Sequence, residues 1–331
     1  MPHISAGTPP LHLGLVACAC ALALAVSPAS AQDFPTRSVR VIAPFPPGGG
    51  TDINVRRLSE RLNRIWKQPV VVENLAGGAG NVAAVAVAAS QPNGYTLFFA
   101  SLAIFAINPV LYDKLPFDPD RDFAPVVLVS DTPHVLLVSS TFPAANVAEL
   151  IAAAKARPGS LHFGSGGQGT SLHLAGELLK SRAGVELTHV PYKGTAPALT
   201  AMMGNEIQML FDSTSSALGH IRGGRVRGLA IADPARAAGL PEVPTFDESG
   251  IPNFYSGVAH GVLVRLGTPA AVVSALNRGI NTVLGDPEYK KQMTEIGVNL
   301  AGGATEQLRS YIASERRKWT PIIQTQGIKV N

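Results

Sequence analysis

Three short runs combine glycine, hydroxyl side chains and the start of an apolar-periodic segment. They are Pro47-Gly48-Gly49-Gly50-Thr51-Asp52, Gly164-Ser165-Gly166-Gly167-Gln168-Gly169-Thr170-Ser171, and Lys193-Gly194-Thr195. A chain that leaves a strand through such a run and enters a helix presents unpaired backbone N–H groups at the helix N-terminus, where the helix dipole adds positive potential. Glycine also lets a ligand oxygen approach bare backbone without meeting a Cβ. The chemistry these runs suit is the holding of an anion. A carboxylate accepting about four or five charge-assisted bonds, at roughly 1.5 to 3 kcal/mol each before ordering costs, reaches the roughly 8 kcal/mol of micromolar binding without a buried arginine.

Catalytic chemistry finds weaker footing. Gly164 to Gly169 satisfies G-x-G-x-x-G, but the ribose-binding acid of a dinucleotide site would be Glu186. That residue sits near the start of its strand instead of at the C-terminal end, where ligands bind. Gly48-Gly49-Gly50-Thr51 lacks the lysine of a phosphate-binding P-loop, and neither a G-x-S-x-G elbow nor an H-E-x-x-H pair occurs. His173 and Glu177, four apart, could share a metal, yet no third ligand is spaced nearby, and a plain helix polar pair accounts for them. We therefore expect no cofactor, no metal and no catalysis. One alternative stays open: an exported α/β hydrolase or transferase in which Asp212, His173 or Lys193 is catalytic.

The elements that must position these runs follow from hydrophobic periodicity. Val39-Arg40-Val41-Ile42-Ala43 reads as a strand into the first glycine turn, with Asp52 as a helix N-cap. Leu58, Leu62, Ile65 and Trp66 form a helical stripe opposite a solvated face of Arg57, Arg61 and Arg64. Val70 to Val72, an Ala-rich helix from Val82 to Ala89, and Thr96 to Phe99 complete a β-α-β-α-β unit. A second unit starts at Leu161-His162-Phe163 and runs through a helix from Thr170 to about Arg182. It continues with a strand from Val185 to Val190, a helix from Pro197 to Met203 and a strand from Gln208 to Phe211. Val126 to Ser139 and Leu229 to Phe246 read as two crossovers between the units, and two crossings make a hinge. Val262 to Val264 and helices from Pro269, Asp286 and Thr305 should return to the first unit.

Composition bounds the rest. Lys+Arg of 27 against Asp+Glu of 23 leaves +4, too mild for a nucleic-acid stripe, so no nucleic-acid partner is expected. Leu11 to Val26 is nearly all apolar and Ala29-Ser30-Ala31 is a signal-peptidase pattern, so residues 1–31 read as a signal peptide cleaved after Ala31. Leu15-Val16-Ala17-Cys18 loosely resembles a lipobox, which leaves lipidation at Cys18 as an alternative. Cleavage removes both cysteines, Cys18 and Cys20, which suits an oxidising periplasm.

The runs Pro44-Phe45-Pro46-Pro47-Gly48-Gly49-Gly50-Thr51-Asp52, Val71-Val72-Glu73-Asn74, Gly94-Tyr95-Thr96-Leu97, Gly164-Ser165-Gly166 through His173-Leu174, Val190-Pro191-Tyr192-Lys193-Gly194 and Leu240 to Gly250 resemble, in order, the receptors of tripartite tricarboxylate transporters, the Bug-type periplasmic solute-binding proteins. The resemblance implies a two-lobed α/β Venus-flytrap fold. Each lobe would be a mainly parallel sheet flanked by helices, with two crossover strands as hinge, lobe 1 being 32–131 plus 247–331 and lobe 2 132–246. It implies a monomer that captures a small organic acid, such as a di- or tricarboxylate, for one large and one small membrane subunit. A sensor that presents its ligand to a membrane kinase has the same sequence signature. Carried over residue by residue, the ligand contacts are Pro47, Gly48, Gly49, Thr51, Asp52 and Ser101 from the first lobe. The second lobe offers Ser165, Gly166, Thr170, Ser171, Lys193, Gly194, Thr195 and Asp212, the last equally readable as a turn cap. Three departures, Leu75-Ala76 in place of Arg-Pro, Ala259 in place of Trp and Arg265 in place of Pro, leave the far end of the pocket and the ligand unassigned.

Overall fold

The computed structural model describes residues 1–4, 34–325 and 327–329. The expected signal peptide, its cleavage site after Ala31 and both cysteines lie outside the described residues.

The first lobe opens with β1 (Val39–Ala43), α1 (Gly50–Trp66), β2 (Val70–Asn74), α2 (Asn81–Ala88), β3 (Thr96–Ser101), and the short α3 (Ala103–Ala106) and α4 (Asn108–Leu111). β4 (Phe123–Ser139) leads into the second lobe, which holds α5 (Val147–Ala156), β5 (His162–Ser165), α6 (Ser171–Ala183), β6 (Thr188–Pro191), α7 (Thr195–Met203), β7 (Met209–Ser213), α8 (Thr214–Arg222) and β8 (Val226–Ile231). β9 (Gly257–Arg265), α9 (Ala270–Leu284), α10 (Pro287–Glu295), β10 (Asn299–Leu300) and α11 (Thr305–Thr325) close the chain.

β2, β1 and β3 pair in parallel, and so do β6, β5 and β7, as the alternating β-α pattern requires. The two parallel cores are joined by antiparallel strands, so the whole sheet is mixed: β9 lies against β3, and β4 against both β9 and β7, giving the order β2-β1-β3-β9-β4-β7-β5-β6. β4 is 17 residues long because it serves both lobes. Phe123 to Pro133 pair with β9, and His134 to Ser139 pair with β7 and β8. The handover falls at Pro133, which has no N–H to donate. Gly257 sits opposite it, where a Cβ would stand 2.8 Å from the Thr132 carbonyl oxygen.

Apolar residues sort by face. Val39, Val41, Leu58 and Leu62 join Leu276, Ile280 and Tyr289 in one core of the first lobe, so α9 and α10 return to it. Phe163, Leu179 and Phe211 organise one core of the second. Two features differ from the sequence expectation. Ile251 and Phe254, which a boundary at 246/247 assigns to the first lobe, are buried with Phe211 and Phe246, the Phe246 and Phe254 rings stacked at 4.0 Å. Just beyond them, Ser256 N–H donates to the Ala232 carbonyl and His134 N–H to that of Ser256. The last helix also does more than rejoin the first unit. Leu308 of α11 packs in a first-lobe cluster, but Trp319 and Ile323 pack with Leu174 of α6, across the lobe boundary.

Candidate functional site

Strand order sends the C-terminal ends of β1, β3, β5 and β7 toward the line where the lobes face each other, and helices begin directly there. The N-termini of α1 at Gly50, α6 at Ser171, α7 at Thr195 and α8 at Thr214 converge from both lobes. Each has at least eight residues, so each brings unpaired N–H groups and a positive dipole end. Between them lies a cavity of about 570 Å³, including its open mouth. Its polar lining is Gly49, Gly50, Thr51, Ser101, Gly166, Thr170, Ser171, Thr195, Asp212 and Ser213; its apolar lining is Phe45, Pro46, Ala79, Ala103, Leu172 and Val258.

Among the described residues, no lysine, arginine or histidine lines this cavity. Two histidines lie one layer beneath, on the strands that form the hinge. His260 Nε2 is 3.0 Å from Thr51 Oγ1, and His134 Nε2 is 3.5 Å from Ser171 Oγ. Burial lowers both to about 3, so both are neutral and act as hydrogen-bonding struts. Asp212 is the one ionisable side chain in the lining. Its Oδ1 accepts the Ser213 N–H at 2.8 Å, while its buried Oδ2 has no partner. Burial pushes this carboxyl up to about 7, against bonds from Ser216 and the Ser213 N–H that lower it. The Ser101 and Thr195 hydroxyls carry no protein hydrogen bond among the described residues.

The lobes are closed on each other through glycine. A Cβ at Gly49 would stand 2.8 Å from Thr195 Oγ1, and one at Gly50 would overlap Ser213 Oγ and stand 3.1 Å from Ser213 Cβ and Ser215 Oγ. Gly194, at φ +115°, would place a Cβ 2.6 Å from Pro46 Cδ. The glycine runs thus serve interlobe approach as much as ligand approach.

Of the residues singled out from sequence, Gly49, Thr51, Ser101, Gly166, Thr170, Ser171, Thr195 and Asp212 are brought together in the lining. The others fall elsewhere. Pro47 and Gly48 are exposed on the outer turn. Asp52 is not the N-cap, which is Gly49. It sits inside the first turn of α1, where its carboxylate reaches back to the Gly48 N–H at 3.0 Å and bonds Arg56 and Asn74. Although burial raises this carboxyl, those bonds hold it below the ordinary range. Ser165 turns inward, its hydroxyl bonding the Gly167 carbonyl and His189 Nε2 at 2.7 Å, so it braces the loop. Thr170 lines the cavity, but its hydroxyl donates to the Gly167 carbonyl and accepts the His173 N–H, which makes it the N-cap of α6. Lys193 is exposed, and Gly194 packs on Pro46. His173 and Glu177 are 3.7 Å apart, with Glu177 bonded to Lys180 and the His173 ring stacked on His189, outside the cleft. No group of three or more metal-binding side chains occurs among the described residues.

Ser213, Phe45, Pro46, Ala79, Ala103, Leu172 and Val258 were not singled out, and Gly50, although part of the first glycine run, was not carried over as a contact. Gly50 precedes the cap expected at Asp52, whereas α1 is capped at Gly49, and Ser213 caps α8, a helix not expected from the sequence. Ala79 sits at φ +51° inside the glycine turn of residues 77–80, which the sequence does mark, but its side chain gives no sign of a place in the lining.

Known proteins share this fold. A Rhodopseudomonas palustris structure, Rpa4515 with adipate, shares 33% identity at a TM-score of 0.87, covering 89% of this chain and 99% of that one. The periplasmic binding protein BugD shares 31% at 0.85, covering 89% and 99%. MatC (Rpa3494) from Rhodopseudomonas palustris with bound malate shares 30% at 0.82, covering 88% and 100%. Residues 54–328 match the Tripartite tricarboxylate transporter family receptor, and the chain belongs to that family of solute-binding receptors.

Proposed function

We propose that this receptor works in the periplasm, after cleavage behind Ala31, as a monomer that captures a small organic carboxylate between its lobes. It presents the ligand, chemically unchanged, to the large and small membrane subunits of a tripartite transporter. The observation that carries this reading is the cleft itself: four helix N-termini from two lobes converge on a cavity that no cationic side chain lines. Neutral and cationic ligands gain nothing from that potential, whereas an anion does. The similar proteins crystallised with adipate and malate support a carboxylate.

The contacts we assign are backbone N–H groups at Gly50, Thr51, Ser171, Thr195 and Thr214 with the hydroxyls of Thr51, Ser101, Ser171, Thr195 and Ser213. Phe45, Pro46, Leu172 and Val258 hold the apolar part of the ligand. The hinge lies at Pro133 and Gly257, so the lobes divide as 34–133 plus 257–329 and 134–256. A thermal-shift screen of the purified mature chain against mono-, di- and tricarboxylates tests the reading. An acid at 100 times its Kd should add about 2.7 kcal/mol of stability. Its recovery unaltered after incubation separates a receptor from an exported enzyme. No shift from any acid, or conversion of the bound one, would overturn the proposal.

A further inference from the structure

The cleft contains a feature that simple anion capture does not explain: a carboxyl where an anion is to be held. Asp212 is 1% exposed, ends β7 beside the N-terminus of α8 and lines the cavity. One oxygen accepts the Ser213 N–H, and the other is buried with no protein partner. A buried acceptor without a donor is costly, and an ionised one more so. A second carboxylate in the same cavity makes the ionised form worse, because like charges at close range cannot both persist and one of the pair holds a proton. The same oxygen in protonated form is a donor, and an anionic ligand supplies the acceptor it lacks.

We propose that Asp212 binds the ligand as a neutral acid, donating its Oδ2–H to the ligand carboxylate, so that capture takes up one proton from solvent whenever Asp212 is ionised in the free receptor. The inference rests on the carboxylate-receptor reading and adds a proton to its stoichiometry. It also makes Asp212 a selectivity element. The neutral acid rewards a ligand acceptor at that point of the cleft, and the ionised form repels any anion there.

Other titratable groups lie on the elements around Asp212. β4 contributes Asp131 and His134, β5 His162, and β9 His260. α6 contributes His173, Glu177 and Lys180, α8 His220 and Arg222, and α1 Asp52 and Arg56. His134 and His260 bond Ser256, Ser171, Thr51 and Ser130 and are already neutral. His173 and His189 are kept neutral by burial, at about 4 and about 3. Asp131 is bonded to Tyr311 on the α11 side. Asp52 is held ionised by Arg56, Gly48 and Asn74. None of them bonds Asp212, whose hydrogen-bond partner is the Ser213 N–H; the nearby Ser216 hydroxyl also lowers its carboxyl without closing on Oδ2.

Titration calorimetry of the full mature chain decides the matter, with malate, succinate, adipate, butanoate and benzoate as probes between pH 5.5 and pH 9. Each titration is run in phosphate and again in Tris, so that the difference in heat counts protons taken from the buffer. Burial in the closed lobes puts Asp212 at about 7; with that value carried to the ligand-free receptor, affinity should fall about tenfold between pH 6 and pH 8 and about tenfold again by pH 9. Uptake should rise from near zero to near one proton per ligand. Asp212→Asn keeps a donor at this position but cannot titrate, so its pH 6 to pH 8 affinity ratio should collapse toward one and its proton uptake should vanish. An acid that binds the wild type with flat affinity and no proton uptake overturns this inference and leaves the receptor reading standing. The same pH dependence in Asp212→Asn also overturns it, by assigning the proton elsewhere. Failure of every acid to bind at any pH overturns both.

Discussion

Gly50→Ala isolates lobe closure from lobe folding. Gly50 opens α1 with no positive φ, so alanine suits its backbone, and replacing glycine in a helix gains up to about 1 kcal/mol in the free protein. The three nearest atoms that the added methyl would meet outside its own helix backbone all belong to the opposite lobe. The methyl would overlap Ser213 Oγ and stand 3.1 Å from Ser213 Cβ, both on the opposite lobe. Rotation of the Ser213 side chain removes the first conflict but not the second, because Cβ is fixed to the backbone. The closed form therefore has to shift. Overpacking of this kind costs about 1 to 3 kcal/mol, which is about 5- to 150-fold in Kd. The variant should bind acid that much more weakly while melting, without ligand, at or above the wild-type temperature. Adding Ser213→Gly removes the opposing Cβ and should recover part of the affinity, and the departure of the double mutant from additivity measures the contact. Calorimetry and thermal melting on the four proteins give the whole cycle. Wild-type affinity in Gly50→Ala, or a lowered ligand-free melting temperature at unchanged affinity, would refute the assignment of this glycine to interlobe contact.

Thr170→Ala should act on stability more than on binding, because its hydroxyl caps α6. Loss of about 1 kcal/mol in denaturant unfolding is expected, with affinity changed less than that. Lys193→Met should cost under about 1 kcal/mol of affinity, since the side chain is exposed outside the cavity lining; calorimetry showing loss of binding would make it an anchor. The stability of the wild type relative to Asp212→Asn should fall with rising pH. A carboxyl raised from 3.8 to about 7 in the folded state keeps its proton while the unfolded chain loses it, so the difference is fully present below pH 4 and lost by about pH 8, at most about 4 kcal/mol in all. Urea unfolding at pH 4, 6 and 8 reads it, and parallel pH profiles would contradict the burial of that carboxyl.

Much of this architecture was legible because strands and helices announce themselves by period. Val39 to Ala43, Thr96 to Phe99 and Leu58 to Leu62 carry the apolar spacing that their burial demands, and the glycine turns between them mark where strands end. The cleft was legible to the same extent, since any strand-to-helix turn at that edge must face it. Side-chain direction was not. Asp52, Ser165 and Thr170 have the right chemistry for a ligand, yet each satisfies its own loop first, because a nearby backbone N–H or carbonyl reaches it without loss of chain entropy. Contacts between lobes were equally hidden. The packing of Trp319 on Leu174 and of Gly50 on Ser213 joins residues far apart in the chain, and local pattern carries no trace of either.

The central claim is that an anion is held between the lobes by helix N-termini and hydroxyls, without a cationic side chain. A crystal structure of the receptor with the acid that gives the largest thermal shift tests it most directly. The carboxylate should lie within hydrogen-bond distance of N–H groups at Gly50 or Thr51 from one lobe and at Ser171, Thr195 or Thr214 from the other, with Asp212 Oδ2 against one of its oxygens. A carboxylate paired with Lys193 or an arginine, or seated outside the cavity between the lobes, would contradict it.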